Sequence, residues 1–169
     1  RDLHELSGTV TPTDVLRFMG SLYHAVNAVA ELSGPPLHDR RLMLEFASRA
    51  ETASRPGLDA ALVDLLGASE LDGSAIAEWL PEWKVAFQAA MENHRVDARL
   101  HPSRVNYYEK AVRAMIESDL PIAALWPLLH TWTLAADVLP EDGVSSWRAA
   151  WPASSRSGSS PSSCSSRSS

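Results

Sequence analysis

The sequence contains a single cysteine, Cys164, so it can form neither an internal disulfide nor a cysteine-based zinc site. It has no apolar run near the roughly 20 residues that a membrane-spanning helix needs, and its first residues do not show the cationic-then-apolar pattern expected of a leader peptide. Positive charge is not in excess, because the sequence has 15 basic and 21 acidic residues. The net charge of −6 argues against phosphate-mediated nucleic-acid binding. We therefore expect a soluble, cytoplasmic protein without nucleic-acid or membrane partners.

Recognisable catalytic motifs are also missing. The chain has no glycine-rich phosphate loop, no nucleophile elbow and no His-Glu-x-x-His zinc motif. His24, His94 and His130 fall on three predicted helices and could in principle share a metal ion. No two histidines stand four residues apart, however, so we favour surface or helix-end positions for them. We predict no catalytic residue and no metal ligand in this chain.

Both ends of the chain differ from its centre. Residue 1 is arginine rather than methionine, and we interpret residues 1–10 as the exit from a missing N-terminal domain. Residues 153–169 contain eleven serines and no large apolar residue, which predicts a disordered tail. This tail interrupts an amphipathic segment with Trp147 and Trp151 on one helical face. We therefore interpret it as a frame-shifted end, with a natural serine-rich linker as the alternative.

The centre, residues 11–152, shows helical periodicity throughout. A capping box at residues 11–14 predicts the start of a first helix, which a left-handed Gly34 and two prolines should end. Apolar residues then recur every three or four positions in five further segments, at residues 39–53, 58–66, 74–98, 101–116 and 121–136. Pro81 should start or kink the longest one. No segment predicts a strand, so we expect an all-α, antiparallel up-and-down bundle of about six helices.

Tryptophans mark two of the predicted helices. Trp79 and Trp83 lie on one, and Trp126 and Trp132 lie on another that we expect to pack against it. Each buried indole N–H needs a hydrogen-bond partner. A tryptophan-lined groove could hold a planar ligand, but aromatic stripes mostly serve cores, and we favour core packing.

A corner between two predicted helices offers a second chemical interpretation. Arg95 precedes His101 at a spacing that resembles the small helical HEPN ribonucleases. In that setting the arginine would stabilise a phosphorane and the histidine would move a proton. The acidic composition argues against it, and we favour a solvated helix end with His101 as a cap.

Several stretches resemble the helical C-terminal regions of bacterial nucleotidyltransferases of the kanamycin nucleotidyltransferase type. They are LYHAVN at residues 22–27, LHDRRL at 37–42, RPGL at 55–58, YYEKAV at 107–112 and PIAALWPLLHTW at 121–132. Such regions close over the acceptor substrate or form the dimer. In this family the N-terminal domain carries a Gly-Ser turn and paired aspartates, which hold magnesium and the nucleoside triphosphate. This chain has neither feature, so the resemblance implies that both ligands bind only a catalytic domain upstream.

The resemblance therefore implies a helical acceptor-binding or dimerisation domain that is inactive by itself. An acidic protein favours a cationic acceptor such as an aminoglycoside. Candidate acceptor-binding residues, chosen as polar or amphipathic positions inside the resembling stretches, are Arg40, Arg41, Tyr107, Tyr108, His130 and Trp132. The alternatives are a stand-alone interaction module, which could be a homodimer, and the HEPN-like ribonuclease.

Overall fold

The computed structural model of the protein describes residues 10–92 and 97–150, except for the side chain of Asp142. Within these ranges the chain is an all-α bundle without a β-strand. Its helices are α1 (Pro12–Ala30), α2 (Asp39–Thr52), α3 (Leu58–Leu65), α4 (Gly73–Glu78), α5 (Leu80–Met91), α6 (Val105–Ile116), α7 (Leu125–Ala136) and α8 (Ser145–Ala150). Short 3₁₀ turns at Ala98–Leu100, Pro102–Arg104, Pro121–Ala124 and Glu141–Val144 connect them. The predicted all-α fold is confirmed.

The start of α1 follows the sequence prediction, whereas its end does not. The Thr11 hydroxyl accepts from the Asp14 N–H, and the Asp14 carboxylate accepts from the Thr11 N–H, which completes the capping box. The helix ends at Ala30, its C-cap residue Glu31 is right-handed and Gly34 has no positive φ, so the left-handed cap predicted for Gly34 is wrong. Gly34 instead lies under the Arg49 guanidinium, which occupies the space that a Cβ at this position would need.

The long helix predicted for residues 74–98 is two helices. Pro81 lies in the first turn of α5, where its missing N–H costs nothing, so the break between α4 and α5 falls where proline permits it. The predicted extension to residue 98 is wrong, because α5 ends at Met91. Asp97 then accepts from the Arg99 N–H and caps a separate 3₁₀ turn. His94, predicted for the same apolar stripe, lies outside the described residues.

The apolar face predicted for the third helix is only partly buried. Leu62 and Leu66 are buried, but Ala61 is exposed and Leu65 is 55% exposed. The helix has only eight residues, and α2 is the main helix that it packs against. Helix α2 covers one edge of α3, and Ala61 and Leu65 of the predicted apolar stripe stay at the surface.

Helix α7 forms the centre of the bundle. Ten of its twelve residues are buried, and α1, α2 and α5 all pack against it. The prediction that the two tryptophan-bearing helices pack together is therefore confirmed for α5 and α7. His130 is a partly exposed polar residue on this mostly buried helix.

Hydroxyl groups on α7 satisfy two buried indoles. Trp83 Nε1 donates to Thr131 Oγ1 at 2.9 Å, and Trp147 Nε1 donates to Thr133 Oγ1 at 3.0 Å. Each threonine hydroxyl in turn donates to a carbonyl of the preceding turn. Trp147 thereby attaches α8 to the core, as its predicted amphipathic face requires, while Trp151 lies outside the described residues. These bonds specify how α5 and α8 dock on α7.

None of the described helices combines the length and the apolar character needed to cross a membrane. The serine-rich tail from residue 153 and the N-terminal residues 1–9 lie outside the described ranges.

Candidate functional site

A buried asparagine shapes the loop that leads into α2. Asn27, on α1, donates from Nδ2 to the Leu37 carbonyl at 3.2 Å and accepts from the Leu37 N–H at 2.6 Å. The same Nδ2 donates to the Tyr23 carbonyl. The Asn27 side chain thus pairs with both the N–H and the C=O of Leu37. It fixes the backbone directly before His38 and Asp39. The N-terminus of α2 is fixed against α1 as a result.

Asp39, the first residue of α2, is the centre of a polar cluster. Its Oδ1 accepts from Trp126 Nε1 and is paired with His130 Nδ1, each at 3.2 Å. Since an ionised carboxylate can only accept, the proton of the imidazole must lie on Nδ1 when the ring is neutral. This assignment leaves Nε2 of His130 as an acceptor. The α2 terminus is therefore joined to the central helix by a carboxylate–imidazole pair.

Arg99 completes the cluster from the 3₁₀ turn. Its Nη1 lies 3.4 Å from His130 Nε2, which is the atom that the Asp39 contact leaves free to accept. The guanidinium also lies 3.8 Å from Asp39 Oδ2 and 3.9 Å from Asp97 Oδ2. Both carboxylate distances exceed hydrogen-bond length, so they represent charge attraction without a formed bond. The Arg99 side chain is 42% exposed, and it is the most accessible member of the cluster.

The environment keeps Asp39 charged. Burial raises the pKa of Asp39, but the hydrogen bond and charge of His130, the Trp126 hydrogen bond and the charge of Arg99 outweigh burial. The net effect holds the pKa of this carboxyl below its ordinary value. The cluster therefore contains a carboxylate that orients an imidazole, with Nδ1 of the ring facing Asp39 and Nε2 facing Arg99.

The cluster borders a cleft of about 450 Å³ between α1 and the N-terminal end of α2. The lining from α1 consists of Leu16, Met19, Gly20 and Tyr23. The remaining lining consists of His38, Asp39, Arg99, Trp126 and His130. This volume lies within the range of small-molecule sites, and polar side chains that converge on one cleft can fix the orientation of a ligand.

The structure distributes the six sequence-predicted binding residues over separate places. His130 lies in the cleft. Trp132 is 1% exposed in the core, and its Nε1 has no hydrogen-bond partner among the described residues. Arg41 is exposed and forms an ion pair with Glu45 one turn further along α2.

The other three predicted residues form a contact of their own. The Arg40 guanidinium lies over the Tyr107 ring, 4.4 Å from its centroid. Tyr107 meets the ring of Tyr108 edge-on, and Tyr108 is buried against Phe87. This cation–π contact ties α2 to α6 at the surface. None of the three residues lines the cleft beside Asp39.

The structure describes only part of each alternative chemical interpretation, because Arg95 and His94 lie outside the described residues. His101 is exposed, and its ring accepts from the Ser103 N–H, so the predicted cap is confirmed. Arg95, its partner in the ribonuclease hypothesis, lies outside the described residues. Within the described ranges no three histidine, cysteine or acidic side chains are grouped to hold a metal ion. His24 is exposed on α1 and does not line the cleft that His130 borders.

Sequence reasoning missed Asp39 and Arg99. Asp39 stands at a predicted helix start, where an acidic residue is explained by the helix dipole alone. Trp126 and His130 are 87 and 91 residues away along the chain, so no spacing could join them to Asp39. Arg99 lay in the short corner between the helices predicted at residues 74–98 and 101–116, where no pattern marked it as a site residue. Only the packing of α2 on α7 brings these side chains together.

Comparison with known protein families, curated proteins and solved structures finds no match for this chain.

Proposed function

We propose that this chain is a helical small-molecule-binding domain, the acceptor-binding part of a nucleotidyltransferase-like protein, and that it transfers nothing by itself. The observation that carries the proposal is the Asp39–His130–Arg99 cluster on the cleft beside α1. The resemblance of five stretches of the sequence to such helical regions supports the nucleotidyltransferase context.

The polar cluster is better suited to a ligand than to a purely structural role. A structural ion pair would be closed by hydrogen bonds, yet the Arg99 guanidinium stands 3.8 Å from Asp39 Oδ2. Both side chains retain access to the cleft, with 42% and 27% of their surface exposed. Side chains that are held in place but keep unused hydrogen-bonding capacity can bind a ligand without first losing bonds within the protein.

His130 gives the site a chemical role in the parent reaction. A ligand hydroxyl that replaces Arg99 at Nε2 would donate its proton to an imidazole that Asp39 holds in the required tautomer. Nucleotidyl transfer needs a deprotonated acceptor, so a hydroxyl placed here would be prepared for attack. The phosphate chemistry itself would belong to a catalytic domain.

The test is a binding titration of the full chain, followed by imidazole and indole NMR resonances. The probes are kanamycin, uracil, phenol and inorganic phosphate, which cover cationic, neutral and anionic small molecules. A ligand of the cleft should shift the His130 and Trp126 signals. The His130→Gln variant should weaken that binding about tenfold or more, because a buried polar contact is lost.

A matched histidine provides the control. His101 is exposed and does not border the cleft, so His101→Gln should leave the affinity unchanged. If none of the four probes shifts His130 or Trp126, or if both variants lose affinity equally, the cleft is not a binding site. In that case the acceptor-binding proposal is wrong.

Dimerisation remains the alternative function, and its test is independent. The large exposed apolar residues of the described ranges lie on different elements, with Leu44 on α2, Leu65 on α3 and Val85 on α5. No single described helix carries a broad exposed apolar face. Sedimentation equilibrium that shows a dimer insensitive to the probes would favour the interaction module.

A further inference from the structure

Gly20 is unexplained by the fold. It lies in the interior of α1, where glycine destabilises a helix relative to alanine. A Cβ built at this position meets no described atom within 4 Å, so close packing does not require glycine here. Its φ is not positive, so the backbone does not require it either. Gly20 does, however, line the cleft, where a missing side chain leaves space.

The neighbours of Gly20 define the shape of that space. Leu16 and Tyr23, one turn away on either side, also line the cleft and are only partly buried. A residue without a side chain between two larger ones leaves a shallow slot along the helix surface. A flat ring can lie in such a slot against the backbone of α1, whereas a bulky or branched molecule cannot approach it as closely.

The polar part of the cleft has one unused acceptor and one group of unused donors. Asp39 Oδ2 accepts no hydrogen bond from the described residues, because both donors to this carboxylate reach Oδ1. Arg99 forms one hydrogen-bond contact there, the 3.4 Å contact with His130. Oδ2 and the Arg99 Nε are 3.8 Å apart, which suits a ligand edge that carries a donor directly beside an acceptor.

We propose that the ligand of this cleft is a small, neutral, planar ring that presents an N–H next to a C=O, as in a cyclic amide. The N–H donates to Asp39 Oδ2, the C=O accepts from Arg99, and the ring face lies over Gly20. This inference rests on the proposed small-molecule function and narrows the part of the ligand that enters the cleft to one chemical class, with the hydroxyl for His130 carried by a substituent of the ring.

Charge balance favours a neutral ligand over either kind of ion. One carboxylate, from Asp39, and one guanidinium, from Arg99, line the cleft and match each other in charge, so a cation in the cleft would lie beside Arg99. An anion in the cleft would lie beside Asp39. A neutral edge that pairs with both groups leaves neither charge without a partner.

The experiment compares uracil with 1,3-dimethyluracil, which keeps the ring and the carbonyls but has no N–H. Calorimetric titration of the full chain should show binding of uracil and a loss of tenfold or more for the dimethylated ring. Arg99→Gln should weaken uracil binding by a similar factor. Arg104→Gln, at an exposed arginine five residues away, serves as the matched control and should have no effect.

Gly20→Ala separates the role of the glycine from any folding defect. Alanine should raise the melting temperature by about 3 °C, because helix propensity improves. It should also weaken uracil binding about fivefold or more, because the methyl group enters the slot. Ser21→Ala, at the exposed neighbouring residue, should leave uracil affinity unchanged.

The outcomes distinguish this inference from the function on which it rests. Binding of kanamycin, phenol or phosphate in the cleft without binding of uracil would overturn the ligand class but keep the small-molecule function. Equal binding of both uracils, or a Gly20→Ala variant with unchanged affinity, would also overturn the ligand class. Failure of every probe would overturn both proposals.

Discussion

Replacement of Asn27 by alanine should be among the most damaging single changes outside the apolar core. Asn27 is 6% exposed, and its amide makes the two hydrogen bonds to Leu37 and the one to the Tyr23 carbonyl. Leu37 is itself only 2% exposed. The Asn27→Ala variant would therefore leave an N–H and a C=O buried without partners, in the loop that positions α2.

The magnitude follows from these bonds. A buried polar group left without its partner costs about 1–3 kcal/mol, and the substitution affects two such groups on Leu37. Allowing for water that enters the vacated space, we expect a loss of about 3 kcal/mol in the free energy of unfolding. A domain of this size has a total stability of about 5–15 kcal/mol, so the melting temperature should fall by about 10 °C.

Urea unfolding followed by circular dichroism measures this loss, with the slope of the transition compared between variants. Asn106→Ala is the matched control, because Asn106 is exposed on α6 and the chemical change is the same. The control should change the stability by less than about 0.5 kcal/mol. A loss below about 1 kcal/mol for Asn27→Ala, or a loss equal to that of the control, would refute the reasoning.

Three further predictions concern charge and the docking of α8. The pKa of Asp39 is lowered in the folded protein, so its stabilising contribution is complete above the unfolded pKa of about 3.9 and is lost as the pH falls through the folded value. Asp39→Asn should therefore reduce the loss of stability at acid pH in a curve of stability against pH. An unchanged loss of stability at acid pH would contradict the lowered pKa. Thr133→Val should cost about 1–3 kcal/mol in thermal unfolding, because the hydrogen bond from the buried Trp147 indole to the Thr133 hydroxyl is lost. An unchanged stability would show that this bond is dispensable. Lys84→Ala should lower the free energy of unfolding by less than about 1 kcal/mol despite the 2.7 Å contact with Glu109, because the lysine side chain is 39% exposed. A loss above about 2 kcal/mol in urea unfolding would show that the ion pair is stronger than an exposed one.

The positions of the helices were largely predictable, because periodicity and capping are local signals. The Thr11 capping box, the first-turn position of Pro81 and the Trp147 face all appear in the structure as predicted. The errors fall where a local pattern has more than one outcome. Apolar spacing could not show that Leu65 would stay exposed on the surface of α3.

The candidate site was predictable only in fragments. His130 was identified as a polar residue in an apolar stretch, although the sequence could not show what it contacts. Trp132, six residues after Trp126, was an equally reasonable candidate, and yet it is buried in the core while Trp126 donates to Asp39. The contact of Trp126 depends on the position of α2, and the sequence around the two tryptophans does not encode that position.

The sequence by itself determined the all-α class, most helix boundaries and the absence of recognisable catalytic motifs, because these depend on residues within a few turns of one another. Only the tertiary structure decided that Asp39 meets His130 and Arg99 beside a cleft that Gly20 leaves open. Those groups come from four separate elements. Their meeting depends on how α1 and α2 pack against α7, and packing is a property of the whole chain rather than of any segment.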